Sequence, residues 1–510
     1  MRSRLMFFDR DFVVPAHPGP RSAPPVVTAL EQDLNLPVVL EAMAEGDGYI
    51  LEVCRLVMLS GLSSPVAIRY RQAVLRDCSQ QPKLVREVYT TATAALQEGR
   101  SVWRGDRPLS MLRSSLHVLE RCLPALKQLR ALADDDNTRA LQSEAFTAFF
   151  RTAREQLTDQ YFFELEDQLS RLRLEHGTLF SAKLGDGNKP IKFVLRLPRQ
   201  KRSRSFTGWA QPGRGTETGF EIEPRNEAGL KVLEDMQAQA VRPLAVTVRR
   251  AADSILDFFG ALRAELAFYI GALNLRARLS AKCEPMCFPT PAEKEPLKLS
   301  ARGLYDPGLS LLQGARVVGN DFQADGSNLL VITGANQGGK STFLRGLGLA
   351  QLMMQCGMFV AAASYEANVC RGVYTHFKAA EDATLEHGKL DEELARISEL
   401  ADGLSGDCLV LFNEPFASTN ETEASEIGLQ VLRALRERNV KVAIVTHLSS
   451  LAATLRADWH DRALFLQAER LPSGERTFRL QEGWPRPTSY ADDLYRRIFA
   501  DDPVRPSASA

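Results

Sequence analysis

The sequence lacks an apolar stretch long enough to cross a membrane. Its longest apolar segment, residues 347–363, is interrupted by Gln351, Gln355 and two glycines, whereas a spanning helix needs about 20 apolar residues. The N-terminal stretch Met1–Arg10 is basic, but its apolar part is too short for a signal peptide. We therefore expect a cytoplasmic protein without a membrane partner, in which residues 347–363 form a buried helix.

The sequence also lacks an excess of charge of either sign. Lys plus Arg and Asp plus Glu both number 63, so any contact with a nucleic acid has to come from a local basic patch.

Eight cysteines are scattered along the chain, and Cys54, Cys356 and Cys408 lie in apolar runs, as reduced core thiols do. Cys283 and Cys287 form a close pair, but the sequence offers no second pair or histidine cluster to complete a zinc site.

The length and the changing texture of the chain predict a multidomain protein of α and α/β class. At 510 residues the chain is too long for one core. Residues 1–33 are rich in proline and predict an extended lead-in. Residues 34–290 predict a mostly helical domain with a small β-containing insertion at about 174–224. Residues 300–510, after a proline-rich linker, alternate apolar strands with helices and predict an α/β domain with a C-terminal tail.

The clearest chemical motif follows the apolar run Leu329–Thr333. Gly334–Ser341 is a complete G-x4-G-K-S sequence between a predicted strand and a predicted helix, which is the setting of a phosphate-binding loop. Its glycines let backbone N–H groups turn toward phosphate oxygens, and the helix N-terminus adds its positive dipole end. Lys340 is placed to reach the β- and γ-phosphates of ATP, and Ser341 to ligate Mg²⁺. The predicted nucleotide-binding residues are Gly334, Ala335, Asn336, Gln337, Gly338, Gly339, Lys340, Ser341 and Thr342.

Two later strands are predicted to end in further residues of the same site. The apolar run 408–412 leads into Asn413 and Glu414, and Glu414 is predicted to orient or deprotonate the attacking water. Asn413 stands where an aspartate normally helps to hold Mg²⁺, so weakened metal binding is expected. The run 442–446 is followed by His447. This histidine is predicted to contact the γ-phosphate or the attacking water.

Taken with their flanking residues, these motifs resemble those of the MutS family of DNA mismatch-repair ATPases. The resemblance rests on the run 333–342, with Asn336 and paired glycines before the lysine, and on residues 379–382, 446–448 and 488–491. The helical part is similar to the core and lever regions of that family. The resemblance implies an ABC-type ATPase head that binds ATP and Mg²⁺, forms a homodimer, and couples nucleotide state to DNA held by helical arms.

The sequence also departs from the family pattern. Only residues 1–33 stand where the mismatch-recognition and connector domains would precede the core, so a short form lacking both is expected. Phe162–Glu164 fits the mismatch-reading Phe-x-Glu pattern but lies in a helical run, where packing explains it. The family has a serine that donates to the partner's γ-phosphate, and the corresponding stretch 387–391 has none. With Asn413, this difference predicts slow hydrolysis. Residues 416–420 lie where ABC-type ATPases place a loop that crosses the dimer interface.

A basic stretch within the predicted insertion offers a route to DNA. Its cationic residues include Arg199, Lys201, Arg202 and Arg204. Phe206 and Trp209 follow them, so the stretch combines charges for phosphates with aromatic rings for unpaired bases. The resembled family inserts a DNA-gripping clamp at about this point. A solvated charged loop on a β-hairpin explains the same residues.

Three functions remain open from the sequence. The first is a MutS-family protein in which ATP binding and hydrolysis drive a dimeric DNA-gripping switch in repair or recombination. Its DNA would be branched, damaged or mismatched duplex. The second is a nucleotide-gated scaffold with little ATP turnover. The third is an ABC-type ATPase unrelated to DNA, such as a transporter subunit, which the long helical region ahead of the phosphate-binding loop disfavours.

Overall fold

A computed structural model of the chain describes residues 2–14, 25–103, 105–175, 177–196, 222–223, 225–335, 337–378, 389–404, 406–459, 461–471 and 476–484. By their internal contacts these residues divide into two compact units. The first unit takes the described residues within 1–3, 86–140 and 147–263, and the second those within 4–85, 141–146 and 264–510. The units therefore interleave along the chain, whereas the sequence predicts consecutive domains.

Helices make up most of the first half of the chain, as predicted. They are α1 (Pro25–Asp33), α2 (Leu36–Ala44), α3 (Gly48–Leu59), α4 (Pro65–Gln80), α5 (Pro82–Arg100), α6 (Pro108–Asp134), α7 (Glu144–Gln156), α8 (Asp159–Leu172) and α9 (Glu227–Ser280). In the second half they are α10 (Pro307–Leu312), α11 (Lys340–Gln355), α12 (Lys389–Gly403), α13 (Glu421–Glu437) and α14 (Ser449–Trp459). Because α5, α7 and α9 each contribute residues to both units, a division by sequence position alone does not separate them.

The strands confirm the mixed helical and α/β class. They are β1 (Phe180–Leu184), β2 (Pro190–Leu195), β3 (Thr290–Ala292), β4 (Leu299–Leu304), β5 (Asn320–Gln323), β6 (Leu329–Thr333), β7 (Ser364–Asn368), β8 (Val373–Phe377), β9 (Leu409–Asn413), β10 (Lys441–Val445), β11 (Ala463–Arg470) and β12 (Arg476–Glu482). In the first unit, β1 and β2 pair antiparallel within the predicted insertion.

The first unit is held by apolar helix faces. Leu116 and Leu129 of α6 are buried, as are Phe149 of α7 and Phe259 of α9. A side chain at Gly99 would bring its Cβ within 2.5 Å of Leu256, so glycine lets α5 approach α9 closely within this unit. The apolar spacing that predicts helices here therefore also supplies the surfaces on which they pack.

Among the described strands of the second unit, six form a sheet in the order β12-β11-β6-β10-β9-β8. The pairs among β11, β6, β10, β9 and β8 are parallel, and β12 pairs antiparallel with β11 at the edge. The three central strands β6, β10 and β9 are almost entirely buried, which explains their continuous apolar sequences. Their carboxyl ends meet at one edge, since Val445 is in register with Ile332 and Asn413.

The described parts of the N-terminal stretch, residues 2–14 and 25–33, differ from the extended lead-in predicted for residues 1–33. Residues 25–33 form α1, and Leu5 and Met6 have no exposed surface. The backbone of Leu5 donates to Glu265 at 2.8 Å and accepts from the hydroxyl of Tyr269 at 2.6 Å. The correction has a physical reason: these two apolar side chains gain more by burial in the second unit than by exposure to water.

The helix predicted over residues 347–363 ends earlier than expected. Helix α11 stops at Gln355, and Gly357 follows with φ at 85°. A Cβ at Gly357 would lie 2.4 Å from the Cβ of Arg71, so only glycine fits the turn that ends the helix. No helix within the described ranges is both long enough and apolar enough to span a membrane.

Candidate functional site

The phosphate-binding loop connects β6 to α11 at the carboxyl edge of the sheet. Gly334 and Gly339 have φ values of 116° and 87°, and Gly339 is the N-cap of α11. Positive φ favours glycine, and space does so as well, because a Cβ at Gly334 or Gly338 would lie 2.9 or 2.8 Å from Ala468 of β11. The loop therefore presents its backbone and the N-terminus of α11, which is a suitable setting for an anion. Asn336 lies outside the described residues.

Lys340 is the first residue of α11, and only 4% of its surface is exposed. Its Nζ donates to the carbonyl oxygens of Gly334 and Ala335 at 2.8 and 2.9 Å. Burial lowers the pKa of the Lys340 ammonium to about 8, against the opposing attraction of the Glu414 carboxylate. An ammonium has three donors, so these two contacts aim the group within the loop and leave one donor for a phosphate oxygen.

Two predicted metal ligands meet beside the loop. The Ser341 hydroxyl, in the first turn of α11, donates to Oδ1 of Asn413 at the end of β9, at 2.9 Å. These two residues are 72 positions apart in the sequence, and the parallel sheet brings them together. A hydroxyl and an amide oxygen are both oxygen ligands of the kind that Mg²⁺ takes, so the donor set fits this metal.

Glu414 and His447 also contact each other. Glu414 Oε1 lies 2.8 Å from Nε2 of His447. This hydrogen bond with His447 is the main cause that lowers the pKa of Glu414, and it outweighs the opposing effect of burial. Glu414 has a φ of 55°, and its backbone N–H donates to the carbonyl of Val445 at 2.9 Å. An ionised carboxylate is thus held at the strand end next to Lys340.

A cavity of about 460 Å³ opens onto the loop. It is lined by Gln337–Phe343, by Glu414, by Phe478 and by the segment Leu304–Asn320 in part, including Tyr305, Leu309, Val317 and Val318. The lining combines polar groups with apolar side chains, which suits a ligand with phosphates and a flat ring system. Sequence reasoning missed the segment 304–320 and Phe478, because neither carries a motif and both reach the loop only through the fold.

Several predicted positions lie outside the described residues. They are Arg199, Lys201, Arg202, Arg204, residues 379–382, residues 387–388 of the stretch 387–391, and residues 488–491. The predicted interface loop 416–420 is described, and its residues differ in exposure. Phe416 is buried at 1% exposure, whereas Ser418 is exposed and Asn420 caps α13 by accepting from the N–H of Glu423 at 3.0 Å.

These features form a P-loop motif at the edge of a parallel sheet, and comparisons with known proteins show the family of the chain. Residues 63–282 match the model of the MutS2 N-terminal domain, and residues 330–475 match that of MutS domain V. The chain belongs to the MutS family and is similar to its MutS2 branch.

Individual relatives cover different parts of the chain. It is 33% identical over 196 residues to "Endonuclease MutS2" of Thermus thermophilus, which is 38% of this chain and 26% of that protein. It is 24% identical over 500 residues to "Endonuclease MutS2" of an Anaeromyxobacter species, which is 94% of this chain and 57% of that protein. It is 29% identical over 278 residues to "DNA mismatch repair protein MSH3" of Arabidopsis thaliana, 51% of this chain and 24% of that protein. The chain thus spans less than two thirds of each of these relatives.

Proposed function

We propose that this chain is an ATP-dependent DNA-binding protein, in which ATP binding and hydrolysis drive a dimeric grip on DNA during repair or recombination. In this proposal residues 34–290 form the core and lever domain and residues 300–510 the ATPase head. The observation that carries it is the convergence of Lys340, Ser341 with Asn413, and Glu414 with His447 at one edge of the sheet. The membership of the chain in the MutS family supports the assignment to DNA.

Each site residue has a separate proposed role in ATP hydrolysis. Lys340 and the loop N–H groups would bind the β- and γ-phosphates, and Ser341 and Asn413 would hold Mg²⁺. The metal would supply charge neutralisation on the phosphate oxygens. Glu414 would accept a proton from water as the water oxygen bonds to the γ-phosphorus and the bond to the ADP oxygen breaks. His447, 2.8 Å from Glu414, orients that carboxylate. The apolar part of the cavity near Val317 and Phe478 is the proposed place of the base.

A binding panel tests the DNA part of the proposal. It comprises homoduplex, mismatched duplex, four-way junction and single-stranded DNA, each with and without ATP. We expect at least one structure to bind in an ATP-dependent manner. Neutralising Arg199, Lys201, Arg202 and Arg204 together should weaken that binding and flatten its dependence on salt, by roughly one unit of slope for each phosphate that the variant no longer neutralises. ATP affinity serves as the control and should stay unchanged. Failure of every DNA to bind in any state would contradict the proposal.

A nucleotide-gated scaffold is the second candidate, and the Ser341–Asn413 contact favours it. Asn413 offers a neutral oxygen where an aspartate would offer a charge, and the affinity of such sites depends on the charge of the ligands. In this function ATP binding alone changes the affinity for DNA or protein. Hydrolysis then slowly ends the ATP-bound state.

The Asn413→Asp variant tests the role of this side chain. We expect the variant to bind Mg²⁺–ATP about tenfold more tightly than the wild-type chain, because one negative charge is added to the metal site. We also expect the variant to hydrolyse ATP faster. Magnesium titrations of nucleotide binding and of phosphate release measure both effects. Asn226→Asp makes the same change at the N-terminus of α9, where Asn226 accepts from Gly229 N–H, and should have neither effect. If Asn413→Asp matches this control, Asn413 does not face the metal.

A further inference from the structure

A buried carboxylate lies beside the nucleotide site without being part of it. Glu393, in the first turns of α12, is 6% exposed. Its Oε1 lies 3.3 Å from Nε2 of His376, a 5% exposed residue of β8. The ring of His376 packs edge-on against Phe412 of β9, with centroids 6.0 Å apart. A charge in such a place is costly unless it is paired, so its partners indicate what it does.

The other partners of Glu393 belong to the chain directly after Glu414. The backbone N–H of Phe416 donates to Glu393 Oε1 at 2.5 Å, and the Ser418 hydroxyl donates to Oε2 at 3.1 Å. Although burial opposes ionisation, the hydrogen bonds from His376 and Phe416 lower the pKa of Glu393. Glu393 is therefore an acceptor with both oxygens engaged, and it ties α12 to residues 414–418.

The backbone of residues 414–418 has an unfavourable conformation that hydrogen bonds and packing have to stabilise. Glu414 and Phe416 have φ values of 55° and 62°, a region that non-glycine residues adopt only at a cost. Phe416 is kept there by its side chain, which packs with Ile397 and Ala424 in a small apolar cluster, and by the bond from its N–H to Glu393. Glu414 itself is fixed on the other side by Val445.

We propose that Glu393 is a positioning residue for ATP hydrolysis: it fixes the backbone of residues 414–418 and thereby aims the Glu414 carboxylate at the attacking water. His376 orients Glu393 in turn. This inference rests on the proposed role of Glu414 as the residue that activates water. The hydrogen bonds of Glu393 to His376, Phe416 and Ser418 all lie outside the loop 334–342, so its effect should appear in turnover rather than in nucleotide affinity.

Three variants test the inference. Glu393→Ala removes both acceptors, and we expect kcat to fall about 10- to 100-fold, since a displacement of about 1 Å at a reacting group has effects of this size. Glu393→Gln should stay within about threefold of wild type, because its amide oxygen still accepts from Phe416 and its amide nitrogen can donate to Ser418. Glu399→Ala removes an exposed glutamate of the same helix and should change nothing. The affinity for a fluorescent ATP analogue should stay within about threefold in all of them.

Hydrogen exchange of the backbone amides of Glu414 and of residues 416–418 gives a readout independent of turnover. In Glu393→Ala the Phe416 amide should exchange about tenfold faster or more, because its buried acceptor is gone, whereas Glu393→Gln should keep the protection. If the wild-type chain hydrolyses no ATP, the proposed hydrolysis fails, and exchange alone decides whether Glu393 holds this segment. Equal exchange and equal kcat in Glu393→Ala and Glu399→Ala would overturn the inference.

A milder variant covers the case in which Glu393→Ala does not fold. Ser418→Ala alters an exposed residue and removes only the hydrogen bond to Oε2. We expect kcat about two- to fivefold lower with unchanged affinity, together with faster exchange at residues 416–418. Unchanged kcat and unchanged exchange in Ser418→Ala would then overturn the inference.

Discussion

Replacing Glu414 with glutamine is expected to lower the turnover of ATP by about 100- to 10,000-fold, the range of general-base contributions. The amide keeps the shape of the side chain and can still hydrogen-bond to His447, which lies 2.8 Å away, but it cannot accept the proton of the attacking water. ATP affinity should change by less than about threefold, because the phosphates are held by the loop and Lys340. Single-turnover phosphate release and nucleotide titration measure the two quantities separately.

Glu426→Gln is the matched control for this variant. Glu426 is an exposed residue of α13, so the same loss of one carboxylate should leave turnover unchanged. If Glu414→Gln hydrolyses ATP as fast as the control, the general-base role is wrong and the scaffold function gains support. If it loses affinity as well as turnover, Glu414 acts in nucleotide binding through its attraction to the Lys340 ammonium.

Much of the sheet in the second half of the chain could be predicted because buried parallel strands have continuous apolar sequences. Residues 329–333 form β6 as predicted, and the predicted run 408–412 differs from β9 (Leu409–Asn413) by one residue. The carboxyl ends of neighbouring parallel strands lie at one edge of a sheet. The order of loop, Glu414 and His447 in the sequence therefore predicts their proximity.

Contacts that depend on packing between distant segments could not be predicted in this way. Glu393 lies on an amphipathic helix, where glutamates usually face water, and its burial follows from the docking of Phe416 and His376. The bond from Leu5 to Glu265 joins residues 260 positions apart. Neither feature has a local period or motif, so only the fold reveals it.

Replacing Lys340 with methionine is expected to weaken ATP binding about 30-fold or more. The ammonium is nearly buried in the loop, and removing one member of a buried, hydrogen-bonded charge pair costs about 2 to 5 kcal/mol, where about 1.4 kcal/mol is tenfold in affinity. Methionine keeps the length of the side chain without its charge. Calorimetric titration with Mg²⁺–ATP measures the loss, and Lys231→Met, at an exposed position of α9, is the control.

The pH dependence of the same binding reaction distinguishes a contact with phosphate from a structural role. Burial lowers the pKa of Lys340 to about 8, whereas a bound phosphate favours the protonated form and raises that pKa again. Below pH 8 the ammonium is already present, so affinity should be flat. As the pH rises above 8, binding has to take up a proton, and affinity should fall progressively, with proton uptake seen in buffers of different ionisation enthalpy. An affinity that stays flat up to about pH 9.5 in the wild-type chain would show that Lys340 does not face the phosphates.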